Sequence, residues 1–360
     1  MATREQRIQS LIEKSAADSR TGEVLWRVVG PTAADGTNGT SRTNGTPALD
    51  VAHGDLDRPF FVASVSKLFT VVCLAQLRAE GRLDWDAPIA GYLPNLDLTG
   101  LAVENGRDVS GEITVREVMG HTAGLADYLE GPRTDGPTTL DRALASDFSW
   151  DARDAVGWTR AMTPGRRGRG LYSDTGFQLL GAVVEHLDGR PFAESMRVRI
   201  TEPLGLAGTF MFTLDNLDRF DELAVIRSGN RDLRAPKLLA SAGADGGVVS
   251  TLRDGVVFLQ AFFDGRLFDA VLLDEMLTDW HRIFSPLEYG TGVMRFRMPA
   301  VFTGFRQFSF EGHSGASGVV FFRDARSGVI VVGTVNQLAQ RSLPYQLMIR
   351  TAAVAASTAR

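Results

Sequence analysis

The sequence predicts an α+β chain: an antiparallel sheet built from both chain ends and flanked by helices, with a mostly helical insertion between the two halves. Three observations carry this expectation. Strand-like runs rich in Val, Ile and Phe cluster near the start and again after about residue 285. The stretch between them has helical periodicity broken by Gly/Pro loops. An amphipathic segment stands at each end, over about 4–18 with Ile8, Leu11 and Ile12 on one face, and over about 342–356. The expected division is therefore 1–83 with 285–360 as a sheet unit and 84–284 as a mostly helical unit.

In chain order, Glu23–Val29 reads as a strand, residues 31–47 as a Gly/Thr/Asn loop with two Asn-Gly-Thr sequons taken as turn chemistry, and Ala48–Ala52 as a second strand. Phe60–Ala63 approaches a helix that is apolar on nearly every face from Val65 to Leu77, the pattern of a helix buried in the middle of a protein. Gly81 closes it as a C-cap. Thr114 caps a short helix that ends at His121-Thr122-Ala123-Gly124-Leu125. Ser173–Leu187 reads as a helix ended by Gly189 and Pro191, Thr251–Phe263 as another, and Leu272–Ile283 as a weaker one. Tyr289–Met298, Phe302–Phe310, Val319–Arg323 and Val329–Asn336 read as strands.

Composition bounds the function. The 360 residues have 44% hydrophobic content, which suits a globular chain with a real core. A net charge of −5 argues against a nucleic-acid partner. Cys73 is the single cysteine, so no intrachain disulfide forms, and no Cys/His spacing suggests zinc; neither metal nor cofactor is expected. No run of 18 apolar residues suggests a membrane span. The charged start lacks the apolar core of a secretory signal, so the cytoplasm is the simplest location unless a leader has been removed.

Chemistry concentrates at Ser64-Val65-Ser66-Lys67. Positions three apart share a helix face, so Lys67 lies beside Ser64 at a helix N-terminus, where amide N–H groups favour developing negative charge. A serine hydroxyl becomes a nucleophile when a nearby base takes its proton. The bland alternative makes Ser64 a cap and Lys67 a snorkelling side chain. Only three lysines occur, Lys14, Lys67 and Lys237, against 35 arginines, and a lysine can lose its proton on desolvation where an arginine cannot.

Three further stretches add to this. Tyr172-Ser173-Asp174 stands at a helix start and can place a phenol in a cleft, or merely cap the helix with Asp174. Gly312-His313-Ser314-Gly315-Ala316 lies on a strand, where glycines let a ligand approach the backbone. It nearly makes a Gly-x-Ser-x-Gly elbow, but Ala316 breaks the pattern and no histidine follows His313, so an α/β-hydrolase reading fails. Ser241–Thr251 is glycine-rich but lacks the Gly-Lys-Ser/Thr ending of a phosphate loop, and reads as a tight packing turn.

Taken together, in order and at typical separations, these stretches resemble the serine β-lactamase-like hydrolases: class C β-lactamases, D-Ala-D-Ala carboxypeptidases, D-aminopeptidases and family VIII esterases. Ser64-Val65-Ser66-Lys67 is similar to the nucleophile motif. Tyr172-Ser173-Asp174 resembles Tyr-x-Asn with Asp replacing Asn, and His313-Ser314-Gly315 resembles the Lys-Thr-Gly strand in its His form. His121–Leu125 resembles a His-Thr-Ser-Gly-Leu segment. Ser241–Thr251 resembles an Ala-Gly-Gly-Leu-x-Ser-Thr segment with Ala244-Asp245 as extra residues. The likeness runs from about Phe60 to Asn336.

The resemblance implies a β-lactamase/transpeptidase-like fold, with the active site between the sheet unit and the helical unit, and a set of roles. Ser64 would be acylated, Lys67 and Tyr172 would share the proton work, and the backbone N–H groups of Ser64 and Ala316 would form the oxyanion hole. Lowering a tyrosine from ~10 to near 7 asks for about 4 kcal/mol, and one cation at ~4 Å supplies roughly that at an effective dielectric of ~20. An ionised Asp174 would cancel much of this field. Either it points away, or it carries a proton, or Lys67 is held charged as a relay. Asp174, His313, Ser314, Gly315 and Tyr128 are the expected substrate-binding residues, with Tyr128 either lining an acyl pocket or lying on the surface. An ionised aspartate cannot donate to an amide carbonyl, and a histidine is a weaker, pH-dependent cation than lysine. Both departures favour small acyl esters, with an amidase, D-aminopeptidase or weak β-lactamase as the alternative and a catalytically silent binding protein as a third.

Overall fold

The computed structural model describes residues 2–31, 49–298 and 307–357. Its centre is an eight-stranded antiparallel sheet drawn from both ends of the chain, ordered His281–Phe284, Leu287–Tyr289, Met294–Met298, Phe308–Gly315, Val319–Asp324, Ile330–Thr334, Leu25–Val29, Asp50–His53. The ends are joined where Leu25 pairs with Thr334 and Val29 with Ile330. Period-2 alternation buries both faces of this sheet. Trp26, Val28, Val320, Phe322 and Val331 pack with the terminal helices Arg4–Ala16 and Leu343–Ala355. Leu25, Val29, Phe321 and Val332 join the main core, where helix Leu252–Phe263 lies against the sheet. The approach is close: a Cβ on Gly255 would lie 2.7 Å from the Phe321 ring.

The helix Ser66–Ala79 runs through that main core with every residue from Ser66 to Ala75 buried, and Phe69 stacks on Phe258 at 3.8 Å. Each large apolar side chain so buried contributes roughly 1.5–3 kcal/mol. Gly81 follows it with φ +71°, the left-handed conformation glycine adopts freely. Thr114 and Glu117 form a capping box on Val115–Met119. A second, three-stranded sheet (Phe60–Phe61, Val248–Ser250, Phe210–Met211) leads the chain into the Ser64 turn.

Three strand and helix assignments change. Tyr289–Met298 is two strands joined by a reversal at Gly290–Val293, where Gly292 has φ +84°. The helix expected over Leu272–Ile283 is Ala270–Met276, and its last residues instead start the sheet at His281, because pairing with Leu287–Tyr289 outweighs a weak helical pattern. Ser241–Thr251 is a helical segment, a helix turn Gly243–Gly246 and a strand, not a simple turn. The loop read at 31–47 lies almost wholly outside the described residues, as does most of the run 302–310.

Candidate active site

Ser64 sits in a 3-10 turn, Ala63–Val65, immediately before the buried helix. The turn is strained: Ala63 has φ +48°, at a cost on the order of 1–2 kcal/mol for an L-residue. It is held from outside. The Ser66 hydroxyl donates to the Ala63 carbonyl at 2.6 Å and accepts from the Val248 N–H at 2.9 Å, while the Val62 N–H donates to the Val248 carbonyl. The Ser64 N–H lies in the first turn, where no intrahelical acceptor exists. Strand Phe308–Gly315 ends against this turn, so closely that a Cβ on Gly315 would lie 2.6 Å from the Val62 carbonyl oxygen and 2.9 Å from the Ala63 Cβ. Ser64, Tyr172, Gly315 and Ala316 are all partly exposed, and the Ser64 side chain lies beside the Tyr172 phenol.

Lys67 is fully buried behind them. Its ammonium donates to Asp174 Oδ1 at 2.6 Å and to the Asp245 carbonyl at 2.7 Å, and lies 5.1 Å from the centre of the Tyr172 ring. Of the three possibilities for Asp174, this geometry removes the first: the carboxyl group points at Lys67, not away. Burial pulls the Lys67 ammonium down, but the Asp174 and Asp245 carboxylates outweigh it and hold it above the ordinary lysine value. Burial and the Asp174 charge push the Tyr172 phenol well above its usual range, opposed by the Ser64 side chain beside it. Lys67 alone therefore does not ionise Tyr172; its field is largely spent on Asp174.

Two further carboxylates surround this pair. Asp245 Oδ2 accepts from the Tyr128 phenol at 2.9 Å and from Gln178 Nε2 at 3.0 Å, and burial followed by the Asp174 charge raises it well above the carboxylate range. Asp127 accepts from the Asp174, Leu129 and Glu130 N–H groups, each at 3.2 Å, and burial with the Asp174 charge pushes it up to about 7. Tyr128 is thus neither a pocket wall nor a surface residue. It has 0% exposure, and its hydroxyl also receives Trp150 Nε1 at 3.1 Å. A hydroxyl with three partners in the core is more stable there than one left unpaired.

On the sheet side the expectation for His313 changes too. It is not the pH-dependent cation expected. It is fully buried, its Nδ1 lies 2.7 Å from the Ser314 carbonyl and its Nε2 lies 2.9 Å from the Tyr289 hydroxyl. Burial and the Lys67 charge depress it to about 3, so it is neutral at physiological pH and offers no charge to a substrate carboxylate. The Ser314 hydroxyl is occupied by Tyr345 at 2.6 Å and by the Met294 sulfur at 3.3 Å. His121, with φ +56°, takes the Ser173 N–H on Nδ1 and stacks 4.3 Å from Tyr172. Asp127, Asp245, Tyr289 and Ser66 were not legible as site residues. Asp245 alone left a signal, as a carboxylate in an otherwise small, apolar loop. Among the described residues no group of three or more His, Cys, Asp or Glu could hold a metal, and no helix is long and apolar enough to cross a membrane.

A serine at a strained helix entry, a phenol beside it and a buried lysine one turn on are set on the helix-flanked antiparallel sheet of the β-lactamase/transpeptidase-like fold. The chain belongs to the Beta-lactamase family, whose model matches residues 5–354. It is 23% identical over 283 residues to a putative penicillin-binding protein PbpX of Bacillus subtilis (strain 168), covering 77% of this chain and 64% of that one. It is 28% identical over 210 residues to esterase EstB of Burkholderia gladioli, covering 57% and 47%. The match thus spans under two thirds of the length of either relative. Among solved structures, the D-amino acid amidase of Ochrobactrum anthropi SV3 in complex with L-phenylalanine aligns with a TM-score of 0.77 at 23% identity, over 98% of both chains.

Proposed function

We propose that the protein is a serine esterase for small acyl esters, working through an acyl-enzyme on Ser64. The observation that carries this reading is the placing of Ser64 beside the Tyr172 phenol, with a Lys67 ammonium 5.1 Å from that ring and already committed to Asp174. In that arrangement Tyr172 enters the reaction as a neutral phenol. Ser64 Oγ attacks the ester carbonyl as its proton passes to the Tyr172 oxygen, and the phenol proton passes to the departing alkoxide. The C–OR bond breaks, ROH leaves, and the acyl group remains on Ser64. A water then reverses the sequence, giving its proton through Tyr172 to Ser64 and releasing the acid. The N–H groups of Ser64 and Ala316 receive the tetrahedral oxyanion, a contribution worth about 10²–10³ in rate per donor in comparable sites.

Ester preference is supported by two features. Asp174 accepts from the Lys67 ammonium at 2.6 Å, and a carboxylate so engaged offers no donor to a substrate amide. His313, buried and neutral, supplies no cation for a free carboxylate of a penicillin or peptide. Relatives in the same family include an esterase. Amide cleavage is the second reading, favoured by the alignment with the D-amino acid amidase along nearly the whole chain. A silent binding protein would have no use for the Ser64, Lys67 and Tyr172 set.

The test is a panel of p-nitrophenyl esters, D-amino-acid amides and a chromogenic cephalosporin, with intact-mass detection of the acyl-enzyme. A fluorophosphonate should add once, and Ser64→Ala should abolish both adduct and turnover. Labelling that persisted at Ser314 or Ser317 would overturn the assignment of the nucleophile.

A further inference from the structure

The pair formed by Tyr289 and His313 has no task in the proton path above, yet it lies next to it. Tyr289 is on the strand Leu287–Tyr289, two strands from His313, and its hydroxyl reaches past the intervening strand to the imidazole. Its ring packs edge-on to His121 at 4.4 Å and lies 6.3 Å from the Tyr172 ring.

Hydrogen-bond polarity decides the direction of this chain. The Ser314 carbonyl can only accept, so His313 Nδ1, 2.7 Å away, carries a proton. The opposite tautomer would set two lone pairs against each other. An imidazolium would also satisfy the distances, with the phenol turned to accept. Full burial and the nearby Lys67 charge exclude it at neutral pH. Nε2 is then an acceptor, and Tyr289 must donate to it.

We propose that Tyr289 is a positioning residue for acyl transfer: its phenol locks His313 as the neutral Nδ1–H tautomer, which grips the Ser314 carbonyl and so aligns the strand end that presents the Gly315 and Ala316 backbone to Ser64. The strand end has little freedom on its other side, because Gly315 already touches the Val62 carbonyl and Ala63. Upstream, Gly312 has φ +146° and a Cβ there would lie 2.0 Å from the Phe321 oxygen, so the strand is seated tightly on its neighbour. The remaining adjustable element is the peptide held by His313. Facing the pair are Tyr172 and Lys67, with Asp174 and His121 behind them. This inference rests on the reading of the Ala316 N–H as an oxyanion donor.

The test combines ¹⁵N-histidine NMR with ester kinetics on the full chain and its variants. In the wild type, His313 should keep the neutral Nδ1–H signature across about pH 5–9, where a free histidine would titrate near ~6.5. Tyr289→Phe should disturb that signature and bring an acid limb into the kcat profile. It should also lower kcat at least about tenfold, short of the ~10²–10³ loss of an oxyanion donor, with KM nearly unchanged. Should Tyr289→Phe not fold, His313→Asn and His313→Leu decide the matter. Asn keeps a donor for the Ser314 carbonyl and should retain clearly more kcat than Leu. A wild-type His313 that titrates between about pH 5 and 8, a folded Tyr289→Phe with unchanged kcat and pH profile, or equal losses in the Asn and Leu variants would overturn the proposal. Fluorophosphonate labelling of Ser64 is scored separately. Its failure would remove the esterase reading while the NMR signature still tests the Tyr289–His313 lock.

Discussion

The helical wall and the strand wall beside Ser64 are built in opposite ways. The helical wall is charged inside: one ammonium, Lys67, is surrounded by Asp174, Asp245 and Asp127, with Tyr128, Gln178 and Trp150 completing the hydrogen bonds. The strand wall is neutral: Tyr289, His313, Ser314 and Tyr345 exchange hydrogen bonds without a formal charge among them. The difference teaches where each wall can act. Charge behind Tyr172 tunes a proton that must move during the reaction, whereas neutral bonds behind Ser314 hold a backbone that must stay still. A second charge on the strand wall would face Lys67 across a dry gap, where like charges are costly.

The sharpest way to break the comparison is to remove the groups that meet the nucleophile from the helical wall. Tyr172→Phe should cut ester turnover by at least ~10²-fold, the usual scale for losing general acid–base help, with little change in melting temperature. Lys67→Ala should lose at least as much turnover and also stability, about 3–5 kcal/mol, because it leaves Asp174 buried without its partner. Near-normal turnover in folded Tyr172→Phe would remove the phenol from the mechanism.

Asp174→Asn separates the charge of the helical wall from its shape. It too leaves one partner of the buried pair, so urea unfolding should show a loss of about 3–5 kcal/mol. The substitution adds a donor for an amide carbonyl, and the ratio of amide or cephalosporin hydrolysis to ester hydrolysis should rise. The alkaline-rising limb of the ester pH–rate profile should move to lower pH. Asp174 raises the Tyr172 phenol and the Lys67 ammonium alike, so its removal makes either group available as a base sooner. An unmoved limb and an unchanged ratio would mean that the pair plays no part in catalysis.

A smaller effect is expected deeper in the same wall. Tyr128→Phe strips a donor from Asp245 and an acceptor from Trp150 and Gln178 but leaves the Gln178 bond to Asp245 in place. The expected cost is about 1–3 kcal/mol in chemical denaturation, with turnover changed far less than in Tyr172→Phe. Loss of activity as large as that of Tyr172→Phe would place Tyr128 in the proton path.

The finest test sets the walls against each other by pH. Asp127 is raised to about 7 when folded. Between there and its unfolded value the native state holds a proton the unfolded state lacks, so this group adds stability as pH falls. His313 is lowered to about 3. Below ~6.5 the unfolded state takes the proton instead, so this group removes stability as pH falls. Relative to wild type, Asp127→Asn should therefore lose stability on acidification from about pH 7 to 4, and His313→Asn should gain it below about 6.5. Each slope should be up to about 1.4 kcal/mol per pH unit in denaturant titrations. Slopes of the same sign would contradict the contrast between the walls.

The sequence by itself determined the scaffold and the local placement of Ser64, Lys67 and Tyr172. An all-round apolar helix with Ser64 and Lys67 one turn apart, strand patterns at both ends and a tyrosine opening the Asp174–Asp188 helix are local features, set by periodicities of 3.6 and 2 that need no partner to be recognised. Burial of Cys73 and the Thr114 and Gly81 caps belong to the same class. Weaker periodicity was overruled where pairing supplied more contacts, as at His281–Phe284. Only the tertiary structure decided what the charged and polar residues are bonded to. Lys67 meets Asp174 across 107 residues of chain and the Asp245 carbonyl across 178, and Tyr289 reaches His313 across 24. A side chain's charge state follows from the water it loses and the partners it gains, and neither is written within a few residues of it. That is why His313 read as a pH-dependent cation and Tyr128 as a pocket or surface residue, while the fold makes one a buried, neutral partner of Ser314 and Tyr289 and the other a buried donor to Asp245.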